Sequence, residues 1–273
     1  MERAVLDLLT DGGVRVTTTA RSYRPHVQVH FTETKVLKPQ NIVEMLLLGS
    51  RDAGFAGADW VAELSADVIE VLDTGLDPVD VVAAVPETLL VDGRLPNRRL
   101  VIASEYECLT RKWIGDRGLD ADCVRSYGAT EVFPPEDADV IVDCSATGAT
   151  LQANGLIVID TLLRSSTRFY ASRSAWKQPD KRRRIEDLAL LFSSVLEARQ
   201  RVMLEVNASG ECLERVVAVL PAMRQPTVSP LFGNGSYAVK AAIRRDALPQ
   251  IIPAVKAAGG TDLVVSTLSQ IVP

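Results

Sequence analysis

The most constraining feature of the sequence is the order of elements in its last 73 residues. Two strand patterns, "RVMLEVNA" (201–208) and "SYAVKAAI" (236–243), alternate apolar and polar residues. Between them lie a helical pattern, "GECLERVVAVLPAM" (210–223), and a short extended run, "PTVSPLF" (226–232), joined to the second strand by the turn "GNG". A second helical pattern, "DALPQIIPAVKAAGG" (246–260), closes on a Gly pair that suits a helix stop, and "TDLVVSTL" (261–268) ends the series. The resulting order is β-α-β-β-α-β. Few small topologies accept it, and the ferredoxin-like split unit is the one of this size.

Upstream the patterning is α/β. Short apolar runs, "VQVHF" (27–31), "DAGFAG" (52–57), "DVIEVLD" (67–73) and "DVVAAVP" (80–86), are interspersed with the helix pattern "PQNIVEMLLLG" (39–49). After the Pro- and Gly-containing link "PETLLVDGRLPN" (86–97), a second series runs through "RRLVIAS", the helix pattern "EYECLTRKWIGDRG" and "ADVIVDC". The expected architecture is two α/β lobes within residues 1–200, lobe 1 about 1–86 plus 166–200 and lobe 2 about 87–165. Residues 201–273 form the small terminal domain. Loops at the carboxyl ends of strands then face a shared cleft, where ligands bind in such sheets. Residues 178–200 predict an amphipathic helix with Ile185, Leu188, Leu191, Phe192, Val195 and Leu196 on its core face. The basic run Lys181–Arg184 at its start reads as a solvated face.

One stretch calls for more than packing. In "VIVDCSATGATLQANGL" (140–156) a buried strand ends near Asp143 and runs directly into Thr147, Gly148, Ala149 and Thr150. A Gly that permits close backbone approach, converging amides and two hydroxyls make a phosphate cradle at a helix start. The same residues also serve as a simple N-cap and turn, and this stretch alone supports both readings evenly. Gly54, Gly57 and Asp59 likewise fit either a cleft loop or a tight strand-to-helix turn capped by Asp59.

Composition removes several function classes. Hydrophobic residues make up 47% of the chain, enough for two buried cores, and no run of about 18 apolar residues is present to span a bilayer. The start, "MERAVLDLLTDGG", is charged and amphipathic where an export signal is apolar, so a cytoplasmic protein is expected. Cys108, Cys123, Cys144 and Cys212 are too far apart for a zinc pair, and no disulfide framework is indicated. His26 and His30 have metal-ligand spacing only on a helix, whereas the alternation of Val27, Val29 and Phe31 marks a strand. A net charge of −5 argues against a nucleic-acid surface.

With these elements in order, the sequence resembles the ATP phosphoribosyltransferase family in its long form. The likeness rests on "DAGFAGADW" (52–60), "SEYECLTRKW" (104–113), "DVIVDCSATGATLQANGL" (139–156) and "PTVSPLFGNGSYAVKAAI" (226–243), in the family's order. It implies a two-lobed catalytic region like that of periplasmic binding proteins, followed by a ferredoxin-like regulatory domain. It implies the condensation of ATP with phosphoribosyl pyrophosphate, releasing pyrophosphate, in the first step of histidine biosynthesis, with Mg²⁺ assisting and histidine as feedback inhibitor. Carried onto this chain, Asp143, Thr147, Gly148, Ala149 and Thr150 are the phosphoribosyl pyrophosphate site, and Asp143 meets the metal only through the substrate. Gly54, Gly57, Asp59 and Tyr106 are the nucleotide side, while Arg111 and Lys112 either answer phosphate charge or face solvent. Thr227, Val228, Ser229 and Leu231 locate the histidine effector. No side chain is assigned as nucleophile or base, since the chemistry rests on positioning and charge. A homo-hexamer is implied, with no nucleic-acid or membrane partner.

The sequence departs from the family pattern in two places. The residue before the T-G-x-T core is Ala146, where an acid or a hydroxyl is common. A first strand and a Lys- and Gly-containing turn are expected ahead of the helix at Met1, so either the start codon is assigned too late or part of the cleft is lacking; the competing readings are a weakly active or inactive regulatory homologue lacking that strand or, because the same lobe arrangement serves that purpose, a two-lobed small-molecule-binding protein.

Overall fold

The computed structural model describes residues 1–17, 23–29, 33–233 and 235–272. The chain divides into two compact units, residues 1–6 with 16–189, and residues 7–15 with 190–273.

Helix α1 (Glu2–Asp11) starts the chain and contributes to both units; the two-residue strands β1 (Val16–Thr17) and β2 (His26–Val27) pair antiparallel. His30 and Phe31 lie outside the described residues. Helix α2 (Pro39–Leu47) begins on a proline that its first turn tolerates, and leads to β3 (Ala53–Gly57) and the six-residue α3 (Ala58–Glu63). Then comes β4 (Ile69–Pro86), an 18-residue strand that joins the two runs expected to be separate. Their junction, with Gly75 at φ +63 and Asp77 at φ +46, is bent rather than broken, and the β4 register against its neighbour shifts on either side of Leu76. The chain continues through β5 (Leu100–Ser104), α4 (Glu107–Arg117), β6 (Ala121–Arg125), β7 (Val140–Ser145) and α5 (Ala149–Ala153) to β8 (Leu156–Ala171). Helices α6 (Arg173–Trp176) and α7 (Pro179–Gln200) follow.

The six strands form one mixed sheet in the order β3-β8-β4-β7-β5-β6. Strands β4 and β8 make a long antiparallel ribbon: β3 pairs along residues 167–171 at one end, and β7 pairs along residues 80–84 at the other. Strand β5 runs parallel to both β6 and β7, so three carboxyl ends lie together. The period of two sorts the core. Val81, Ala83, Val85, Leu100, Ile102, Val140 and Val142 face a layer built from Val43, Leu46, Trp60 and Trp113 of the helices. Val82, Ala84, Ala103 and Ile141 face the opposite way and pack with Leu151 of α5 and Leu156. Both faces are covered, which is why these strands read as unbroken apolar runs.

The second unit holds β9 (Arg201–Ser209), α8 (Leu213–Ala218), β10 (Thr227–Pro230), β11 (Ser236–Arg244), α9 (Leu248–Ala257) and β12 (Thr261–Thr267). Its antiparallel order, β10-β11-β9-β12, is that of the ferredoxin-like split unit. Val202, Leu204, Val206 and Ala208 of β9 and Val239, Ala241 and Ile243 of β11 pack with Val216, Ile251 and Val255 of the helices. Gly259, at φ +98, ends the second helical segment as the Gly pair predicts, and a Cβ on Gly260 would meet Val255 and Val206 at 2.7 and 2.9 Å.

One detail differs from the sequence reading, and the place of β10 is fixed by the sheet. On α7, Ile185, Phe192 and Val195 are buried but Leu191 is exposed, its place on the core face taken by Ser194 and Ala198. A 22-residue helix at 100° per residue drifts off a fixed stripe, and small residues then occupy the tightest contacts. Strand β10 is an edge strand with all four residues exposed. Pro230 lacks the donor that an interior ladder needs.

Candidate functional site

The carboxyl ends of parallel strands are where a sheet of this type presents loops to a ligand. Three loops leave that edge here, after β5, β6 and β7 (β5 pairs with both others).

The loop after β7 holds the proposed cradle. Asp143, near its end, accepts a hydrogen bond from the Cys144 amide at 2.6 Å. Burial pushes its carboxyl above the ordinary value, opposed by the Cys144 amide and the Thr130 hydroxyl and reinforced by the charge of Glu131. Beyond it the chain turns tightly: the Gly148 amide donates to Ser145 Oγ at 3.0 Å, and the Ala149 amide approaches Thr147 Oγ1 at 3.4 Å. Gly148 sits at φ +75, where a side chain is strained, yet no atom crowds a Cβ there. It is glycine for its conformation and not for room. The first helical bond is from the Gln152 amide to Gly148 O, so the amides of Thr150 and Leu151 precede the α5 ladder. Ala146, Thr147, Ala149 and Thr150 are exposed, and α5 is only one turn long.

The loop after β5 is rigidly held. Ser104 Oγ donates to Val142 O at 2.7 Å and accepts from the Tyr106 amide at 2.8 Å. Tyr106 is 2% exposed, its ring centroid 4.7 Å from that of Trp60. Its hydroxyl donates to Asp59 Oδ2 at 2.7 Å. Burial first, and the Asp59 charge second, push the phenol far above its ordinary value, so it stays a donor. Neighbouring Glu105 is raised by burial and by the charge of Asp143.

Asp59, 5% exposed in the first turn of α3, is fully engaged. Ser165 Oγ donates to its Oδ1 at 2.6 Å and accepts from its amide at 3.0 Å. A Cβ on Gly57 would lie 2.1 Å from that Oδ1, so glycine is required by the carboxylate beside it. A Cβ on Gly54 would meet Ile42 Cγ2 at 2.9 Å, so Gly54 admits α2 against β3. One turn after Asp59, Glu63 accepts from the amides of Cys108 and Leu109 at 2.8 and 2.9 Å and caps α4 from outside.

The loop after β6 was not singled out in the sequence. Ser126 Oγ and Thr130 Oγ1 are 2.9 Å apart and buried, and the Ser126 amide donates to Ser104 O. Gly128 at φ +118 and Ala129 at φ +49 turn the chain, leaving Tyr127 86% exposed with the Arg125 guanidinium 5.4 Å from its ring centroid. The signal available was a Tyr-Gly pair just after the short strand ADCVR, whose mixed polar and apolar residues leave no clear pattern to mark it.

Other expected residues fall elsewhere. Arg111 and Lys112 make ion pairs within α4, with Glu107 and Asp116, on its exposed face. Lys181 pairs with Asp52, and Arg182 pairs with Glu186 and covers the Trp176 ring. Thr227, Val228 and Ser229 lie on the open edge strand β10, and the Leu231 amide donates to Ser236 O. The four cysteines are free. Among the described residues no three His, Cys, Asp or Glu side chains group to hold a metal ion, and no helix is long and apolar enough to cross a membrane.

A sequence profile described as ATP phosphoribosyltransferase matches residues 38–194, and one described as HisG, C-terminal domain, matches residues 198–270. The chain is 35% identical over its whole length to the ATP phosphoribosyltransferase of Pelotomaculum thermopropionicum, covering 96% of that protein. It is 36% identical over 95% of its length to that of Chlorobium luteolum, covering 90% of it. A solved ATP phosphoribosyl transferase (HisG:HisZ) complex from Thermotoga maritima shares the fold with a TM-score of 0.63 at 21% identity, over 72% of this chain and 94% of that one.

Proposed function

The chain belongs to the ATP phosphoribosyltransferase family, and on that premise we propose that it joins the ribose carbon of phosphoribosyl pyrophosphate to N1 of the adenine ring of ATP. The carbon–nitrogen bond forms as the bond to pyrophosphate breaks, and the product enters histidine biosynthesis. The observation that carries the reading is the Ser145–Thr150 loop, standing beside Asp143 at the carboxyl ends of three parallel strands.

In this reading Thr147, Gly148, Ala149 and Thr150 hold the 5-phosphate through amides and hydroxyls that the turn has already aligned. Asp143 receives the ribose hydroxyls, whose donors favour the carboxylate form that burial disfavours. The nucleotide enters opposite, near Tyr106 and Trp60. No side chain needs to act as a nucleophile: the protein brings the two reacting atoms together and excludes water. The donor set fits Mg²⁺ brought in by pyrophosphate rather than a resident ion, because Asp143 and Glu105 are two half-buried acids and no group of three His, Cys, Asp or Glu side chains is present among the described residues. When bound, the ion spreads the charge of the departing pyrophosphate.

The second unit is the regulatory domain in this reading, with histidine bound at Thr227, Val228, Ser229 and Leu231. These residues lie on or beside an exposed edge, so a second copy covering that edge would enclose them, in keeping with a homo-hexamer. A cytoplasmic location is part of this reading. The test is product formation from ATP, phosphoribosyl pyrophosphate and Mg²⁺, with and without histidine. Thr150→Glu should weaken phosphoribosyl pyrophosphate binding selectively, and unchanged binding rejects the cradle.

A further inference from the structure

The cradle loop offers amides and hydroxyls but carries no cation, while the ligand assigned to it is a phosphate. On the neighbouring loops Lys38 and Arg125 are set against the Glu105 carboxylate. The sheet supplies another cation. Ser145 Oγ accepts from the Gly148 amide at 3.0 Å, so Gly148 lies on the face of the sheet to which the Ser145 side chain points. Paired residues of antiparallel strands share a face. Ser145 of β7 is paired with Asp80 of β4, and Asp80 is paired on its other side with Arg164 of β8. The three side chains therefore form one row, with Arg164 two strands, about 10 Å, from Ser145 at the ordinary strand spacing. Leu151, which follows the cradle, packs on this same face with Val82 and Ile141. The next residue of β8, Ser165, turns to the opposite face and holds Asp59 there.

Arg164 is held loosely. Its side chain is 90% exposed, and its Nε stands 3.9 Å from Asp80 Oδ1. An exposed pair at that distance contributes little. With Nε turned toward Asp80, the Nη pair is left to a second partner, and a guanidinium fork matches the edge of a phosphate.

We infer that Arg164 is a substrate-binding residue, the cation that meets the 5-phosphate seated in the Ser145–Thr150 loop. This deepens the transferase reading and rests on it. Asp80 keeps the guanidinium in the row before the ligand arrives. The phosphate is the stronger partner, and Asp80, 46% exposed, remains solvated when the guanidinium turns to it.

The experiment titrates the full chain calorimetrically with ribose 5-phosphate and, separately, with phosphoribosyl pyrophosphate and Mg²⁺ in the absence of ATP. Both ligands carry the 5-phosphate, and only the second carries pyrophosphate. Arg164→Ala should weaken both by the same factor, about tenfold or more, and leave ATP binding within about twofold of the wild type. Arg164→Lys should lose less than Arg164→Ala and Arg164→Glu more, an order that charge beside the phosphate produces and packing of an exposed side chain does not. The urea unfolding midpoint should stay that of the wild type, since the side chain is exposed. Unchanged affinity for ribose 5-phosphate in Arg164→Ala overturns the inference. So does weakening of phosphoribosyl pyrophosphate alone, which puts the guanidinium on pyrophosphate, or equal weakening of ATP. A wild type that binds neither ribose 5-phosphate nor phosphoribosyl pyrophosphate instead removes the transferase reading on which the inference stands.

Discussion

Replacing Gly57 by alanine isolates a single structural cause. The backbone at Gly57 is extended, φ −71 and ψ 144, so alanine meets no conformational penalty there. It gains about 0.4–1 kcal/mol by restricting the unfolded chain. The cost is steric: the three nearest atoms to an added Cβ all belong to the Asp59 carboxylate, at 2.1, 3.2 and 3.6 Å. Restoring ordinary contact moves that carboxylate by roughly 1 Å, which stretches hydrogen bonds of 2.6 and 2.7 Å out of range. Two hydrogen bonds to a charged group are worth about 1.5–3 kcal/mol each, so the net loss is about 2–5 kcal/mol. That corresponds to a fall in melting temperature of the order of 10 °C for a unit of this size. All three tryptophans, Trp60, Trp113 and Trp176, lie in the first unit, so urea unfolding followed by their fluorescence reports on it directly. Asp59→Ala removes the obstacle, and in that background Gly57→Ala should cost less than about 0.5 kcal/mol. Equal cost in both backgrounds, or no cost in the wild type, refutes the argument.

Three further outcomes are expected. Asp143→Asn should stabilise the ligand-free protein at neutral pH while abolishing turnover. Burial raises the folded pKa above 3.8, so ionisation costs stability as pH rises through the folded value, and unfolding midpoints from pH 3 to 7 should show that slope vanish in the variant. Asp139 has the opposite sign: the Arg98 guanidinium, hydrogen-bonded to it at 2.6 and 3.0 Å, lowers its pKa, helped by the Val101 amide. Its contribution is complete above about pH 4 and lost as pH falls through the folded value, so Asp139→Asn should be less stable at neutral pH and flatten acid unfolding. Tyr127→Ala removes an exposed ring and should leave the unfolding midpoint within about 0.5 kcal/mol of the wild type. A rise of about tenfold in KM for ATP would show the ring stacking on the base, and an unchanged KM would show that it does not.

Local pattern makes part of the site legible in the sequence. A glycine between hydroxyl residues after an apolar strand marks a turn at Gly148, because only glycine takes φ +75 at no cost. The roles of Asp59 and Tyr106 are not legible in this way. Each is placed on the nucleotide side by its motif, yet the two bond to one another across 47 positions, and Ser165 reaches Asp59 across 106. A period of two or 3.6 carries information over one element only, so it is silent on such pairs.

The same division holds for the whole molecule. The sequence by itself determined the β-α-β-β-α-β order of the second unit and the α/β character of the first, because burying one face of each element imposes its period on the residues. Only tertiary structure decided that residues 69–86 form one bent strand, that β10 lies at an open edge, that Leu191 leaves the core face of α7, and that Gly57 makes room for a carboxylate. Those outcomes depend on which surfaces meet, and chain segments far apart in sequence determine them together.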